Sequence, residues 1–304
     1  MKYLVIGAGG TGGSISGFMT AAGLDVSVIA RGEHLAAIQE NGLFMETTSK
    51  GSFVVQPMKV FDMAHYQEHP DVIFVCVKGY SLEETIPFIR SVAHAQTIVI
   101  PLLNLYGTGE RMQEKLPGLL VTDGCIYIAG EIKAPGMILM KGDIFKVVFG
   151  VRNQEDSRPL LEQAAADLNQ SGITANVSDN IRRDALQKFT FVSPMAACGA
   201  FYDVTAGGMQ QEGKERAMAI ALMREIEALA LAMDIHFSVD IVSTNLEILD
   251  HLAPEASSSM QRDLKKGGMS EMDGLIFEVV RLGRTYGVPV PTYEKVAEKF
   301  GFQD

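Results

Sequence analysis

Residues 3–12 read Tyr3-Leu4-Val5-Ile6-Gly7-Ala8-Gly9-Gly10-Thr11-Gly12. Four apolar residues with no polar alternation predict a short strand buried on both faces. The glycines then stand at G-x-G-x-x-G spacing, and residues 11–22 carry a helical pattern. In a strand–turn–helix setting each glycine has its own task. Gly7 permits the tight turn, Gly9 lets the backbone approach a pyrophosphate, and Gly12 lets helix and strand pack closely. The helix N-terminus adds unpaired N–H groups and the positive end of its dipole. The stretch therefore predicts a dinucleotide site built from Gly7, Ala8, Gly9, Gly10, Thr11 and Gly12. The alternative is a glycine turn with a structural role only.

The next apolar run, 26–29, leads into Ala30-Arg31-Gly32. A carboxylate at this point would accept hydrogen bonds from a free ribose 2′-hydroxyl. Arg31 stands there instead, and its guanidinium fork suits a 2′-phosphate, so NADP is expected over NAD. A solvent-pointing arginine is the alternative. Lys78 ends the run 72–77 and Asn104 follows the run 97–103. Both fall at carboxyl ends of strands, where open α/β sheets bind ligands. A lysine there suits phosphate or ribose, and an asparagine amide could orient a nicotinamide or a substrate carbonyl.

Further strand patterns at 118–122 and helical patterns at 33–40, 82–89 and 108–115 complete an alternation that predicts a parallel sheet covered by helices. Residues 126–150 alternate around Pro135-Gly136 and Gly142, which predicts an antiparallel extension of that sheet. A helix at 159–170 and a strand at 173–177 close the first domain. Ser178-Asp179-Asn180 is a helix N-cap cluster, after which strand signals nearly vanish. Helical patterns follow at 181–193, 213–233, 238–252, 270–286 and 291–300, with Pro194 expected to end or kink the first. The fold class is thus α/β: a Rossmann-type dinucleotide-binding domain over 1–178 and an all-helical domain over 179–304.

The chain has 304 residues, and two domains of roughly 150 residues each agree with its length. With 26 Lys and Arg against 37 Asp and Glu, the net charge is −11. Such a chain is poorly suited to nucleic acid or anionic membranes, and its longest basic cluster, Arg262-Asp263-Leu264-Lys265-Lys266, reads as a solvated helix face. Cys76, Cys125 and Cys198 are far apart and set among apolar residues. They predict small buried hydrophobes in a reducing compartment, with no disulfide framework and no metal site. Neither a secretory h-region nor a run of about 20 apolar residues is present, so a cytoplasmic protein is expected.

In the helical domain Lys188 stands amid Leu186, Phe189 and Phe191. A lysine in apolar surroundings suits proton transfer, although a snorkelling lysine fits the same pattern. Ser257-Ser258-Ser259-Met260 and Ser270-Glu271-Met272-Asp273 each open a helix. Capping explains these serines, and the helix dipole explains Glu271, without any further role.

Taken in order, these pieces resemble the ketopantoate reductase family along essentially the whole chain. The matching residues are the Gly7 to Gly12 fingerprint, Arg31, the strand ending in Lys78, Asn104-Leu105-Tyr106-Gly107-Thr108, Pro135-Gly136-Met137-Ile138, Lys188, Ser258-Ser259-Met260 and Glu271-Met272-Asp273. The resemblance implies an NADPH-dependent oxidoreductase that delivers hydride to the C2 carbonyl of a 2-keto acid, typically ketopantoate giving pantoate for pantothenate biosynthesis. It implies that Lys188 is the general acid, with Glu271 close to it and contacting substrate or cofactor. Ser259 would bind the substrate carboxylate, Asn104 would sit where nicotinamide and substrate meet, and Lys78 would touch the cofactor. No metal is implied, and a monomer or homodimer is expected.

Three positions depart from the family pattern: Val192, Ala206 and Ala256 stand where members commonly carry asparagine. A pocket lined this way should disregard a substrate's terminal hydroxyl. Other readings are therefore a D-2-hydroxyacid dehydrogenase for a branched or aromatic acid, and a non-catalytic NADP-binding sensor. A β-hydroxyacid dehydrogenase shares the domain plan, but its glycine-rich substrate motif is missing.

Overall fold

The computed structural model describes residues 1–303. The chain parts into two units, Met1–Leu103 with Gly107–Ile181, and Asn104–Tyr106 with the residues from Arg182 onward. The short segment Asn104–Tyr106, inside the expected 1–178 range, thus packs with the helical unit.

Among the described residues the first unit runs β1 (Lys2–Ile6), α1 (Gly10–Ala21), β2 (Asp25–Ile29), α2 (Gly32–Asn41), β3 (Leu43–Thr47), β4 (Gly51–Val55), β5 (Lys59–Phe61), β6 (Val72–Val75), α3 (Leu82–Val92), β7 (Ile98–Pro101), α4 (Thr108–Lys115), β8 (Leu120–Val121), β9 (Asp123–Ala134), β10 (Met137–Gly150), α5 (Pro159–Gln170) and β11 (Thr174–Val177). The first sheet is six-stranded and parallel, in the order β5-β2-β1-β6-β7-β8. Leu4 to Ile6 and Val72 to Val75 have no more than trace exposure, as expected for strands covered on both faces. The register sets Ile6 level with Ile29 and Val75. The chain therefore leaves β1, β2 and β6 at one edge, carrying Gly7, Arg31 and Lys78 to that edge.

The segment 126–150 does form an antiparallel pair, but it does not extend the first sheet. β9 and β10 belong to a separate five-stranded sheet in which β10 pairs β9, β11 and β3, and β3 pairs β4. The missing information was the β3–β4 hairpin, whose residues Phe44 to Thr47 receive Met137 to Met140 of β10 in parallel register. β5 was also unread, since its three residues carry too little periodicity.

α1 makes the second sheet possible. Gly12 to Met19 are all buried, so the helix lacks a polar face. A Cβ on Gly12 would stand 1.9 Å from the Gly7 carbonyl oxygen and 2.9 Å from Val5, on the first-sheet side. Cβ atoms on Gly10, Gly13 and Gly17 would meet Gly130 (2.1 Å), Ile138 (2.9 Å) and Met45 (2.9 Å), all in the second sheet. Glycines on opposite faces let one helix touch two sheets.

The second unit is helical: α6 (Ile181–Tyr202), α7 (Ala206–Gln210), α8 (Lys214–Ala232), α9 (Ile241–His251), α10 (Ser259–Lys265), a π-turn (Asp273–Phe277) leading into α11 (Glu278–Tyr286), and α12 (Pro291–Lys299). Pro194 neither ends nor bounds α6, which continues for two more turns. Proline in a helix interior costs about 3 kcal/mol. Full burial of Ser193, Ala196, Ala197 and Cys198 holds the helix through it. Glu225 of α8 accepts the backbone N–H groups of Thr292 (2.8 Å) and Tyr293 (3.0 Å), capping α12 from a neighbouring helix.

None of the three cysteines is in a disulfide; Cys125 and Cys198 are buried, and burial pushes the Cys198 thiol up to about 12. No helix among the described residues is long and apolar enough to cross a membrane. None of them forms a cluster of His, Cys, Asp or Glu able to hold a metal ion.

The contact between Gly10 and Gly130 yields a stability prediction. Gly10→Ala should lower the unfolding free energy by about 1–3 kcal/mol through overpacking, despite alanine's higher helix propensity. Urea unfolding should show a lower midpoint with an unchanged slope.

Candidate active site

In the first unit the loop between β1 and α1 is built by three glycines with three different reasons. Gly7 has φ +101°, a conformation that excludes ordinary side chains, and donates its N–H to Ile29 O at 3.1 Å. Gly12 is required by the close approach of Gly7 O. Gly9 is neither strained nor crowded: its φ is −70°, and a Cβ there would meet nothing within 4 Å. Its missing side chain leaves open space directly before the N-terminus of α1. That terminus has no side-chain cap and no acidic residue in its first turn, so its positive end is uncompensated. This set of residues fits the pyrophosphate of a dinucleotide. Gly10 has an additional reason to be glycine, its contact with Gly130, and Thr11 follows it in the first turn.

Arg31 is the N-cap residue of α2, is exposed, and has no ion pair among the described residues. No carboxylate precedes it at the end of β2, where Ala30 is buried. Lys78 is half-buried just beyond β6 and precedes a 3₁₀ turn, Gly79–Ser81. One residue that sequence reasoning missed is His34 of α2, whose ring bonds Ala8 O (2.9 Å) and the Gly136 N–H (3.0 Å). A lone histidine in a helix gives no such signal.

The second unit gathers the candidates for chemistry. Lys188 of α6 is half-buried and donates from Nζ to Asn104 Oδ1 at 2.6 Å. Its neighbours Leu186 and Phe189 are buried in the helical core, so α6 is anchored while the amine stays partly accessible. Asn104 is held by the residues after it. A Cβ on Gly274 would stand 2.7 Å from Leu105, and the Tyr106 ring packs at 6.2 Å on Phe189. The helical pattern at 270–286 covers Gly274, but the π-turn that contains it leaves no separate mark in that pattern.

Glu271 is buried, at 5% exposure, and lies just before that turn. Its backbone carbonyl accepts from Leu275 N–H at 2.9 Å. The Leu275 carbonyl in turn accepts the Ser193 hydroxyl at 2.6 Å, and Ser193 Oγ lies 2.6 Å from Tyr293 Oη. Ser193, one helical turn from Lys188 and Phe189, thereby ties α6 to the segment that carries Glu271.

Of the serines at 257–259, Ser258 is the cap: its hydroxyl accepts from Gln261 N–H (3.2 Å), and Gln261 Oε1 accepts from Ser258 N–H (3.0 Å). Gln261 Nε2 also donates to Val204 O at 2.8 Å. Ser259 is left out of the capping box, and its hydroxyl has no partner among the described residues. Val192 and Ala256 pack against the helical core, and Ala206 N–H donates to Ala256 O at 2.9 Å.

A glycine loop between a buried parallel strand and an uncapped helix, in a chain that goes on into a helical unit, is the plan of dinucleotide-binding α/β proteins. The chain belongs to the ketopantoate reductase family PanE/ApbA: the family model matches residues 3–154, and the model of its C-terminal part matches 180–302. It is 26% identical over 300 residues to the "Uncharacterized oxidoreductase YkpB" of Bacillus subtilis, covering 97% of this chain and 96% of that one. It is 25% identical over 315 residues to the 2-dehydropantoate 2-reductase of Aquifex aeolicus, covering 100% and 99%. The crystal structure of a PanE/ApbA family ketopantoate reductase from Ralstonia eutropha superposes with a TM-score of 0.89 at 25% identity, over 98% of this chain and 97% of that one. The chain is therefore an oxidoreductase of the 2-dehydropantoate 2-reductase type, a family that reduces 2-keto acids with a nicotinamide dinucleotide.

The different reasons for Gly9 and Gly12 are separable by substitution. Gly9→Ala should unfold at a temperature no lower than the wild type while binding reduced dinucleotide at least about tenfold more weakly. Gly12→Ala should lose stability first, because its Cβ collides with the Gly7 carbonyl. Thermal unfolding and nicotinamide fluorescence, measured on both variants, check the pair.

Proposed function

We propose that this chain catalyses the NADPH-dependent reduction of ketopantoate to D-pantoate, with Lys188 as general acid. The observation that carries the reading is the 2.6 Å hydrogen bond from Lys188 Nζ to Asn104 Oδ1. With one ammonium proton donated to Asn104, the directions of the other two are fixed. A charged, oriented ammonium is what a carbonyl oxygen needs as it becomes an alkoxide.

Bound NADPH supplies the hydride to the carbonyl carbon. Lys188 gives a proton to the carbonyl oxygen, so ketone, hydride and proton become the hydroxy acid, and the amine regains its proton from solvent. Ser259, with its hydroxyl uncommitted, binds the substrate carboxylate. Glu271 stays close to the lysine, and Asn104 holds the lysine and meets substrate or nicotinamide. On the cofactor side the backbone of Gly7, Ala8, Gly9, Gly10, Thr11 and Gly12 takes the pyrophosphate. Lys78 adds a positive charge, and Arg31 takes the 2′-phosphate in a charge-assisted contact.

A second reading keeps the chemistry and changes the substrate. Val192, Ala206 and Ala256 offer no side-chain hydrogen bond, and the backbone N–H groups of Ala206 and Ala256 are already taken by Ala256 O and Ala253 O. This favours a branched or aromatic 2-keto acid without a terminal hydroxyl. Steady-state loss of reduced nicotinamide absorbance with ketopantoate, 2-ketoisovalerate and phenylglyoxylate separates the two. A kcat/KM for ketopantoate well above the others supports the first reading, and comparable values overturn it. Binding of NADPH with no turnover of any keto acid would instead indicate a sensor.

Lys188→Ala should lower kcat by about two to four decades with little change in NADPH affinity; near-full turnover would overturn its role. Arg31→Ala should weaken NADPH binding about tenfold to a hundredfold and leave NADH binding nearly unchanged.

A further inference from the structure

His34 lies in the first turn of α2, three residues beyond Arg31, and both of its ring nitrogens are committed to backbone. Nε2–H donates to the Ala8 carbonyl at 2.9 Å, and Nδ1 accepts from the Gly136 N–H at 3.0 Å. A carbonyl only accepts and an amide N–H only donates, so these partners require a neutral ring with its proton on Nε2. Gly136 itself has φ +74° and packs on α2, its Cβ position lying 3.1 Å from Ala37. One ring thereby joins the glycine loop, α2 and the β9–β10 turn.

The Ala8 carbonyl and the Gly9 N–H belong to a single planar peptide unit and point in opposite directions. Fixing the Ala8 oxygen against His34 therefore fixes the direction of the Gly9 N–H, at the one loop glycine whose missing side chain faces open space. We propose that His34 is a positioning residue of the dinucleotide site, its neutral ring holding the Ala8–Gly9 peptide in the orientation that the pyrophosphate requires. The inference rests on the dinucleotide reading of the loop.

A pH dependence follows. Burial lowers the proton affinity of His34 below its ordinary value of 6.5, opposed in lesser degree by the Ala8 acceptor. Protonation would turn Nδ1–H against the Gly136 N–H and break that bond. Charged groups on the packed elements are Arg31, which caps α2, Glu33 in its first turn, both exposed, and Glu131 and Lys133 of β9, paired with Lys141 and Glu46. The loop itself, Gly7 to Gly12, carries no charge. Because the folded form holds the proton less well than the unfolded chain, the contribution of His34 is complete above pH 6.5. It is lost as the pH falls through the lower, folded value.

The test is binding of NADH and NADPH to the whole chain between about pH 5 and 8, read by nicotinamide fluorescence, for wild type, His34→Ala and His34→Gln. NADH is the cleaner probe because it lacks the 2′-phosphate, which titrates near pH 6. Wild-type affinity for NADH should be level above pH 6.5 and fall only as the pH drops through the lower, folded value. His34→Ala should bind both dinucleotides about tenfold more weakly at pH 8 and lose the step. Gln places an amide nitrogen near the Nε2 position without a titratable group, so His34→Gln should recover most of the affinity and show no step. A purely structural role would leave affinity tracking thermal stability in both variants, with no recovery by Gln. Wild-type affinity in the Ala variant, or a step that survives in the Gln variant, overturns the inference. Should His34→Ala fail to fold, the Gln variant carries the test alone. A wild type that binds neither dinucleotide overturns the reading of the loop itself.

Discussion

The closeness of α1 to its surroundings governs the first unit. One helix passes between two sheets, and at Gly12 on one side and Gly10 on the other not even a methyl group fits. Protein interiors are packed like crystals, so contacts of this kind define position to within fractions of an ångström. The first sheet aligns the ends of β1, β2 and β6, and the second sheet presses α1 against that edge. The glycine loop is the short piece of chain between them, and its shape follows from what lies on both sides.

Much of this was legible in sequence, for a physical reason. A fully apolar run followed by G-x-G-x-x-G admits few structures, and the parallel sheet, the covering helices and the helical second unit all follow from periodicity. The β3–β4 hairpin was not legible, because Leu43-Phe44-Met45 is apolar without interruption and so hides the alternating burial that β3 adopts. Without it, the β9–β10 pair was assigned to the wrong sheet. Pro194 does not end α6 for a different reason: local propensity favours an end there, but the surrounding core buries the residues of the next turn. The π-turn at Asp273–Phe277 depends on the Ser193 hydroxyl meeting Leu275 O, a contact between segments 82 residues apart.

The candidate residues divide in the same way. Gly7, Gly9, Gly12, Arg31, Lys188 and Glu271 stand in patterns that sequence can supply. The contacts that orient them do not: Leu105 on Gly274, Tyr106 on Phe189, and the Ser258–Gln261 box that leaves Ser259 uncommitted. Lys188 and Asn104 are 84 positions apart, and their hydrogen bond exists because two aromatic and aliphatic anchors follow Asn104 directly.

Gly9 carries a consequence for how far this protein can be stabilised. Its backbone dihedrals suit any L-residue and its Cβ position is empty, so an alanine there would reduce the entropy of the unfolded chain at no cost in folded contacts, a gain of about 0.4–1 kcal/mol. On the dinucleotide reading proposed for the loop, glycine at this position concedes folding stability to ligand access. A stability-driven selection or consensus design would remove it, and would make a sturdier protein with a blocked loop.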